Sequence, residues 1–310
     1  MRVLFIGTSD FACPSLKALV DASYRVVEVV TQPDRPRGRG QKLAPPPIKS
    51  LAVSRKLPVF QPEKLRDPSA VARLRSLCPD LIVVAAYGQI LSPSVLAIPP
   101  QGCINIHGSL LPKYRGAAPI ARAILKGEKK TGVTTMRMDE GMDTGPILLA
   151  EETEIAPEDN LESLHDRLAL IGAGLLLKTL RGLETGTVKP IAQDHSRATY
   201  APKVSREEAR IDWRSSARDI ANLIRAFDPW PGAYSTWMGK TVKLFRPLVI
   251  EGPAQEPPGT LIKADPQGLS VAAADGYLVV REVQMESRPR LPVEQFLRGT
   301  ALETGHLLGE

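Results

Sequence analysis

The chain reads as an α/β protein: a doubly wound, mostly parallel, Rossmann-like domain followed by a small C-terminal β-barrel of OB-like form. Three observations predict this. The runs Val3–Ile6 and Leu81–Ala86 are almost purely apolar, as strands covered on both faces of a parallel sheet must be. Helical patterns alternate with such runs through the first half of the chain, which is the mark of βαβ winding. Beyond residue 230 the apolar runs shorten and recur about every ten residues, the spacing of a small barrel. At 310 residues, and roughly 150 per domain, there is room for two domains. The composition shifts place the first at 1–189, a polar linker at 190–208 and the second at 209–310.

Each element follows from local sequence. Val3–Ile6 stops at Gly7-Thr8-Ser9-Asp10, and Pro14-Ser15 leads into a helix over Leu16–Val20. A second strand covers Arg25–Thr31. Val71–Leu77 has helical spacing, Leu81–Ala86 is the next strand, and Cys103–Ile106 follows a Pro-Pro-Gln-Gly turn. Gly132–Met138 and Ile147–Thr153 are β-rich and predict a hairpin-like pair with a long loop. Asn160–Leu183 is a long amphipathic helix with Leu161, Leu164, Leu168 and Ile171 on one face. Ser216–Phe227 is a short helix stopped by Pro229. The β runs of the second domain are Tyr234–Met238, Thr241–Pro247, Gly259–Lys263, Gly268–Ala272 and Gly276–Val283.

Composition narrows the class. Hydrophobic residues are 43% and charged residues 24%, which excludes fibrous and wholly disordered chains. No apolar run reaches the roughly 18 residues of a membrane span, so no membrane partner is expected. The cysteines, Cys13, Cys78 and Cys103, are odd in number and form no C-x-x-C; they read as reduced thiols of a cytoplasmic protein. Prolines number 28, about 9% against an average of roughly 5%, and their spread predicts many rigid loops. The chain is read as a monomer.

Charge is concentrated. The net charge is +6, yet residues 31–75 alone hold 11 basic and 3 acidic residues. The densest part is Pro33-Asp34-Arg35-Pro36-Arg37-Gly38-Arg39-Gly40-Gln41-Lys42. Alternating Arg with Gly and Pro cannot hold a helix or a central strand, so an exposed, mobile loop is expected. Guanidinium groups on a pliable backbone suit phosphate oxygens, and several spread cations point to nucleic acid over one small phosphate.

The chemistry is densest at Asn105-Ile106-His107-Gly108-Ser109-Leu110-Leu111-Pro112, where a buried strand ends. Strand C-termini are where open α/β sheets build their sites. Residues two apart on an extended segment share a side, so Asn105 and His107 face one pocket. The carboxamide can donate to an oxyanion, and the imidazole can carry a proton near neutral pH. Asp143, in the long loop of the β-rich pair, can orient the ring and favour its charged form. No metal is expected: the four histidines, at 107, 165, 195 and 306, show no ligand spacing. Gly7-Thr8-Ser9 lacks the G-x-G-x-x-G of a dinucleotide site, and Ser109 lacks the G-x-S-x-G elbow of a hydrolase.

The run from Asn105 to Ile120, with Met138-Asp139-Glu140-Gly141-Met142-Asp143-Thr144-Gly145-Pro146-Ile147, resembles the folate-dependent formyltransferase family. The likeness runs end to end, through Tyr200-Ala201-Pro202-Lys203, Phe227-Asp228-Pro229-Trp230-Pro231-Gly232-Ala233 and Phe296-Leu297-Arg298-Gly299. It implies a formyl donor, 10-formyltetrahydrofolate, used as co-substrate without a metal. The implied acceptor is the α-amine of methionine esterified to initiator tRNA, for translation initiation. An amino-sugar nucleotide or another small amine is the alternative. Asn105, His107 and Asp143 are then catalytic. Ser109, Leu110, Leu111 and Pro112 take the folate-contacting position, and Tyr87, Gly88, Gln89, Ile90 and Leu91 wall the pterin pocket. The resemblance gives the basic loop the acceptor end of the tRNA, with Arg35, Arg37, Arg39, Lys42 and Lys49 as candidates. It makes the first domain the catalytic one and has the second contact tRNA.

Overall fold

In a computed structural model the described residues are all but Gly38, Arg39, Gln41, Ala301 and Glu310, with Arg37 described by its backbone alone. They fall into two compact units. The first takes Met1–Pro119, Lys130–Glu154 and His165–Pro202; the second takes Ile120–Lys129, Ile155–Leu164 and the chain from Lys203.

The first unit opens with β1 (Arg2–Gly7), α1 (Cys13–Asp21) and β2 (Arg25–Val30). Two short strands follow, β3 (Arg35–Arg37) and β4 (Lys42–Ala44), then α2 (Pro47–Ser54), β5 (Val59–Phe60) and α3 (Pro68–Ser76). Next come β6 (Leu81–Ala85), α4 (Pro93–Leu96), β7 (Cys103–His107) and β8 (Arg115–Gly116). After α5 (Pro119–Leu125), which from Ile120 belongs to the second unit, β9 (Lys130–Arg137) and β10 (Ile147–Glu154) form an antiparallel pair. Helix α6 spans Leu161–Glu184, in the first unit from His165. The main sheet has the order β10-β9-β7-β6-β1-β2-β5. Strands β7, β6, β1, β2 and β5 run parallel, and β9 lies antiparallel against β7. The chain winds outward from β1 in both directions, which opens a crevice at the C-terminal ends of β1 and β6.

Both faces of this sheet are covered. Leu4, Ile6, Ile82, Val84 and Cys103 pack with Val71 and Leu74 of α3 and Val95 of α4. On the other side α6 comes so close to β7 that a Cβ on Gly172 would lie 3.0 Å from Ile106 Cγ2. All five residues of β6 are buried, so the strand has the unbroken apolar sequence that the two-sided burial demands.

Three findings depart from the sequence reading. The basic segment is not a bare loop: β3 pairs antiparallel with β4, Arg35 opposite Ala44 and Pro36 opposite Leu43. This ribbon belongs to no larger sheet, and both of its strands are edges, where a proline is tolerated. Arg39 lies outside the described residues. Helix α2 starts inside the run Pro45-Pro46-Pro47, and α3 starts at Pro68, three residues before Val71. A proline in the first turn has its φ preset and no N–H to leave unsatisfied. The stretch read as a linker is structured at points along its length, and a 3₁₀ turn, Glu207–Ala209, begins at its end. His195–Arg197 is a 3₁₀ turn, and β11 (Tyr200–Ala201) pairs with β8 inside the first unit.

The second unit holds α7 (Ala217–Ala226), β12 (Tyr234–Trp237), β13 (Lys240–Glu251), β14 (Leu261–Asp265), β15 (Gly268–Ala272), β16 (Gly276–Met285), β17 (Leu291–Pro292) and α8 (Val293–Leu297). The antiparallel order is β12-β13-β16-β15-β14, with β17 also on β16. Ser216 caps α7, its hydroxyl accepting from the Asp219 N–H. Ile220 and Ile224 of the helix join Leu244, Val271, Leu278 and Val280 in one core. Strand β13 runs past the expected stop at Pro247, as far as Glu251, with Arg246 at φ 53°.

Candidate active site

Strand β7 ends at His107, and its alternation puts Asn105 and His107 on the same side as Cys103. The loop after β9 leaves opposite the start of β7, where the Met138 N–H donates to the Cys103 carbonyl at 2.8 Å. It then folds back along the strand and delivers Asp143. Asn105 Nδ2 lies 3.4 Å from Asp143 Oδ1, and His107 Nδ1 lies 3.6 Å from Asp143 Oδ2. The three predicted polar residues are thus brought together, with His107 6% and Asp143 16% exposed.

Backbone groups fix these side chains. His107 Nε2 donates to the Tyr114 carbonyl at 2.9 Å. The Gly116 N–H donates to Asp143 Oδ2 at 2.8 Å, a charge-assisted bond. Gly116 sits at φ 114°, and a Cβ there would lie 2.9 Å from the Ala201 carbonyl, so the position needs glycine. Both ring nitrogens of His107 face oxygen, and only the doubly protonated ring can donate to both. At 3.6 Å the Nδ1 edge is not yet hydrogen-bonded to the carboxylate.

The thiol and hydroxyl groups nearest Asn105 and His107 in sequence, Cys103 and Ser109, are both withdrawn from attack. Ser109 is fully buried and its hydroxyl donates to the Lys113 carbonyl at 2.6 Å. The Cys103 thiol is buried and pushed up to about 12 by desolvation. Among the described residues no group of His, Cys, Asp and Glu could hold a metal ion.

Comparison with known proteins decides the family. A formyl transferase family model matches residues 1–180, and a formyl transferase C-terminal domain model matches residues 203–301. The chain belongs to the formyl transferase family. It is 50% identical to the methionyl-tRNA formyltransferase of Geotalea daltonii, covering 100% of this chain and 98% of that one. The methionyl-tRNA formyltransferase of Syntrophus aciditrophicus is 51% identical, covering 100% and 99%. Among solved structures, the N-formyltransferase from Helicobacter canadensis, in complex with folinic acid and dTDP-3-aminofucose, superposes with a TM-score of 0.70. It is 18% identical over 92% of this chain and 100% of that one, a likeness of fold.

The other predicted positions of this formyl transferase are placed unevenly. Leu111 is buried, with its N–H on Thr134 Oγ1, and Thr134 Oγ1 donates to the Ser109 carbonyl at 2.7 Å. Leu110 lies over Gly132, where a Cβ would come 2.5 Å from Leu110 Cδ2 and 2.3 Å from the Glu151 carbonyl. Pro112 is half-buried, and the Leu111–Pro112 peptide is cis. The Tyr87 ring is buried in the core, and its carbonyl accepts from Thr8 Oγ1 and Gln32 Nε2. Gln89 is bound to the Glu63 carbonyl, Leu91 is buried, Gly88 is exposed and Ile90 stands 83% exposed. Among the cations, Lys49 is paired with Asp34 at 2.7 Å, Arg35 is 3.9 Å from Glu63 and largely exposed, and Lys42 is exposed. The Asp34 carboxyl is held below its usual range by Gln61 first and Lys49 second. Sequence reasoning missed Gly116, the Tyr114 carbonyl, Arg115 and Gln193. The last two have no local signal, because one sits in a Lys-Tyr-Arg-Gly run and the other in a polar stretch read as linker.

Proposed function

We propose that this formyl transferase moves a formyl group from 10-formyltetrahydrofolate to the α-amine of methionyl initiator tRNA, for translation initiation. The observation that carries the reading is the cluster of Asn105, His107 and Asp143 at the end of β7, with Ser109 and Cys103 both withdrawn into the structure. The site offers a way to stabilise a carbonyl oxygen and move a proton, and leaves nucleophilic attack to the substrate. Full-length kinship at about half identity to enzymes of that name supports the acceptor.

The residues present fit the donor. Ile90 presents an apolar side chain just past the end of β6, the neighbour of β7, which suits a flat ring, and Leu110 and Pro112 follow His107 closely in sequence. The bound folate supplies a formyl carbon on N10. Asn105 Nδ2 and the Nδ1–H of imidazolium His107 donate to the formyl oxygen as it gains charge. Tyr114 holds the other ring nitrogen, and so fixes which edge is free. Asp143 faces the Nδ1 edge of the ring, and its Oδ1 accepts a proton as the amine nitrogen bonds to the formyl carbon. That proton returns to N10, directly or through water, as the carbon–N10 bond breaks. Catalysis belongs to residues 1–189. The cations Arg35, Arg37, Arg39 and Lys42 of the basic segment, with Lys49 and the domain at 209–310, contact the RNA, in a monomeric enzyme of the cytoplasm.

The direct test offers three acceptors in one assay: methionyl initiator tRNA, an amino-sugar nucleotide and a glycinamide nucleotide. Formylation of the tRNA at a kcat/KM at least about 100-fold above either small amine is expected. Preference for a small amine would reject the reading.

A further inference from the structure

We infer that Gln193 is a positioning residue for the transfer, clamped by the buried cation of Arg115 and acting through the backbone that presents Asp143. The inference rests on the role given to Asp143 above. Gln193 is 6% exposed and its carboxamide is fully used. Nε2 donates to the Asp143 carbonyl at 2.8 Å and to the Gly145 carbonyl at 2.7 Å. Oε1 accepts from Arg115 Nη2 at 2.6 Å and Nε at 3.2 Å. A guanidinium can only donate, so the amide oxygen must face it and the NH₂ must face the loop. Arg115 therefore fixes which end of Gln193 grips Asp143.

The loop needs such a grip. Asp143 has φ 54°, a left-handed conformation that is costly for a residue with a Cβ unless its surroundings hold it. Gln193 holds the carbonyls of Asp143 and Gly145, while Gly116 holds the carboxylate. Arg115 and Gly116 are the two residues of β8, paired with Tyr200–Ala201. One two-residue strand thus anchors Asp143 at both ends: Gly116 to the side chain and Arg115, through Gln193, to the backbone.

Arg115 is buried at 2% exposure, and its partners are neutral, Gln193 Oε1 and His195 Nδ1, which must accept. Among the described residues no carboxylate pairs with it, and a buried cation so placed is costly to keep for packing alone. Its use here is orientation of one amide.

The test is a double-mutant cycle on single-turnover formyl transfer to methionyl-tRNA, with Gln193→Glu, Asp143→Asn and the pair. Glutamate keeps the size and the Arg115 contact but cannot donate to the two carbonyls. A rate about 30- to 100-fold below wild type is expected for Gln193→Glu, with KM for each substrate within about threefold. In the Asp143→Asn background the same change should slow transfer by less than about threefold, because both act on one carboxylate. Gln193→Met, which also lacks the donors, enters the same cycle if the glutamate variant does not fold. An unchanged rate, or equal fold-losses in both backgrounds, overturns the inference. A wild-type rate in Asp143→Asn removes the reading of Asp143, and this one with it.

Discussion

Asn105 and His107 stand 3.4 and 3.6 Å from the Asp143 carboxylate, while the bonds of His107 and Asp143 to the Tyr114 and Gly116 backbone are 2.9 and 2.8 Å. The side chains are aimed by the main chain and left loosely coupled, as suits groups that tighten only around a substrate. His165 is the opposite case, a histidine with a structural job. Its ring lies 3.4 Å from Asp10 and 2.9 Å from Asp166, edge-on to Phe11. Asp10 first, and Asp166 after it, raise its pKa above 6.5, while His165 holds Asp10 below 3.8. The histidine's contribution is therefore complete below about pH 6.5 and fades as pH rises through its raised value. The Asp10 contribution is present above about pH 3.8 and fades as pH falls through its lowered value. Asp10 is 74% exposed, so screening limits the pair to about 0.5 kcal/mol. His165→Gln should lower the urea midpoint more at pH 5.5 than at pH 9; an equal loss at both would remove the ionic contribution. At this scale the sequence was legible where spacing carried meaning, as with Asn105 and His107 on one strand. It was silent on Gln193, which meets Asp143 across 50 residues of chain.

Among the elements, the buried strands were the most legible, since β6 and β1 have no solvent face to interrupt their apolar runs. Prolines misled. Their spread predicts rigid loops, yet Pro47 and Pro68 open helices. The Arg-Pro-Arg of β3 forms a ribbon because its partner Lys42–Ala44 asks no central-strand hydrogen bonding of Pro36. Replacing Arg35, Arg37, Arg39 and Lys42 together with alanine should weaken tRNA binding and flatten the slope of log K against log salt by about 2 to 4. Lys49 is expected to add little to that slope, because Asp34 already neutralises it. A slope unchanged by the fourfold variant would free the ribbon of any part in binding.

For the whole molecule, charge and structure divide along the same line. Residues 31–75 carry 11 basic and 3 acidic residues, while residues 191–310 carry 15 of each. The excess cations therefore lie on the unit that holds the polar trio. Within the second unit many cations are tied up locally, as Arg290 is with Asp228 and Glu282, its guanidinium 3.9 Å over the Phe245 ring. Two domains were legible from length and from the change in strand spacing. The boundary was not, because polar composition looks the same in a free linker and in a segment such as β11 that is tied down by two backbone partners. No described helix is long and apolar enough to cross a membrane. The central claim is that one carboxamide, one imidazolium and one carboxylate carry formyl transfer to an amine. Its most direct test is the single-turnover rate of methionyl-tRNA formylation by Asp143→Asn at saturating donor and acceptor. A rate about 100- to 1,000-fold below wild type, with both dissociation constants within about threefold, is the expected result. A rate equal to wild type would contradict it.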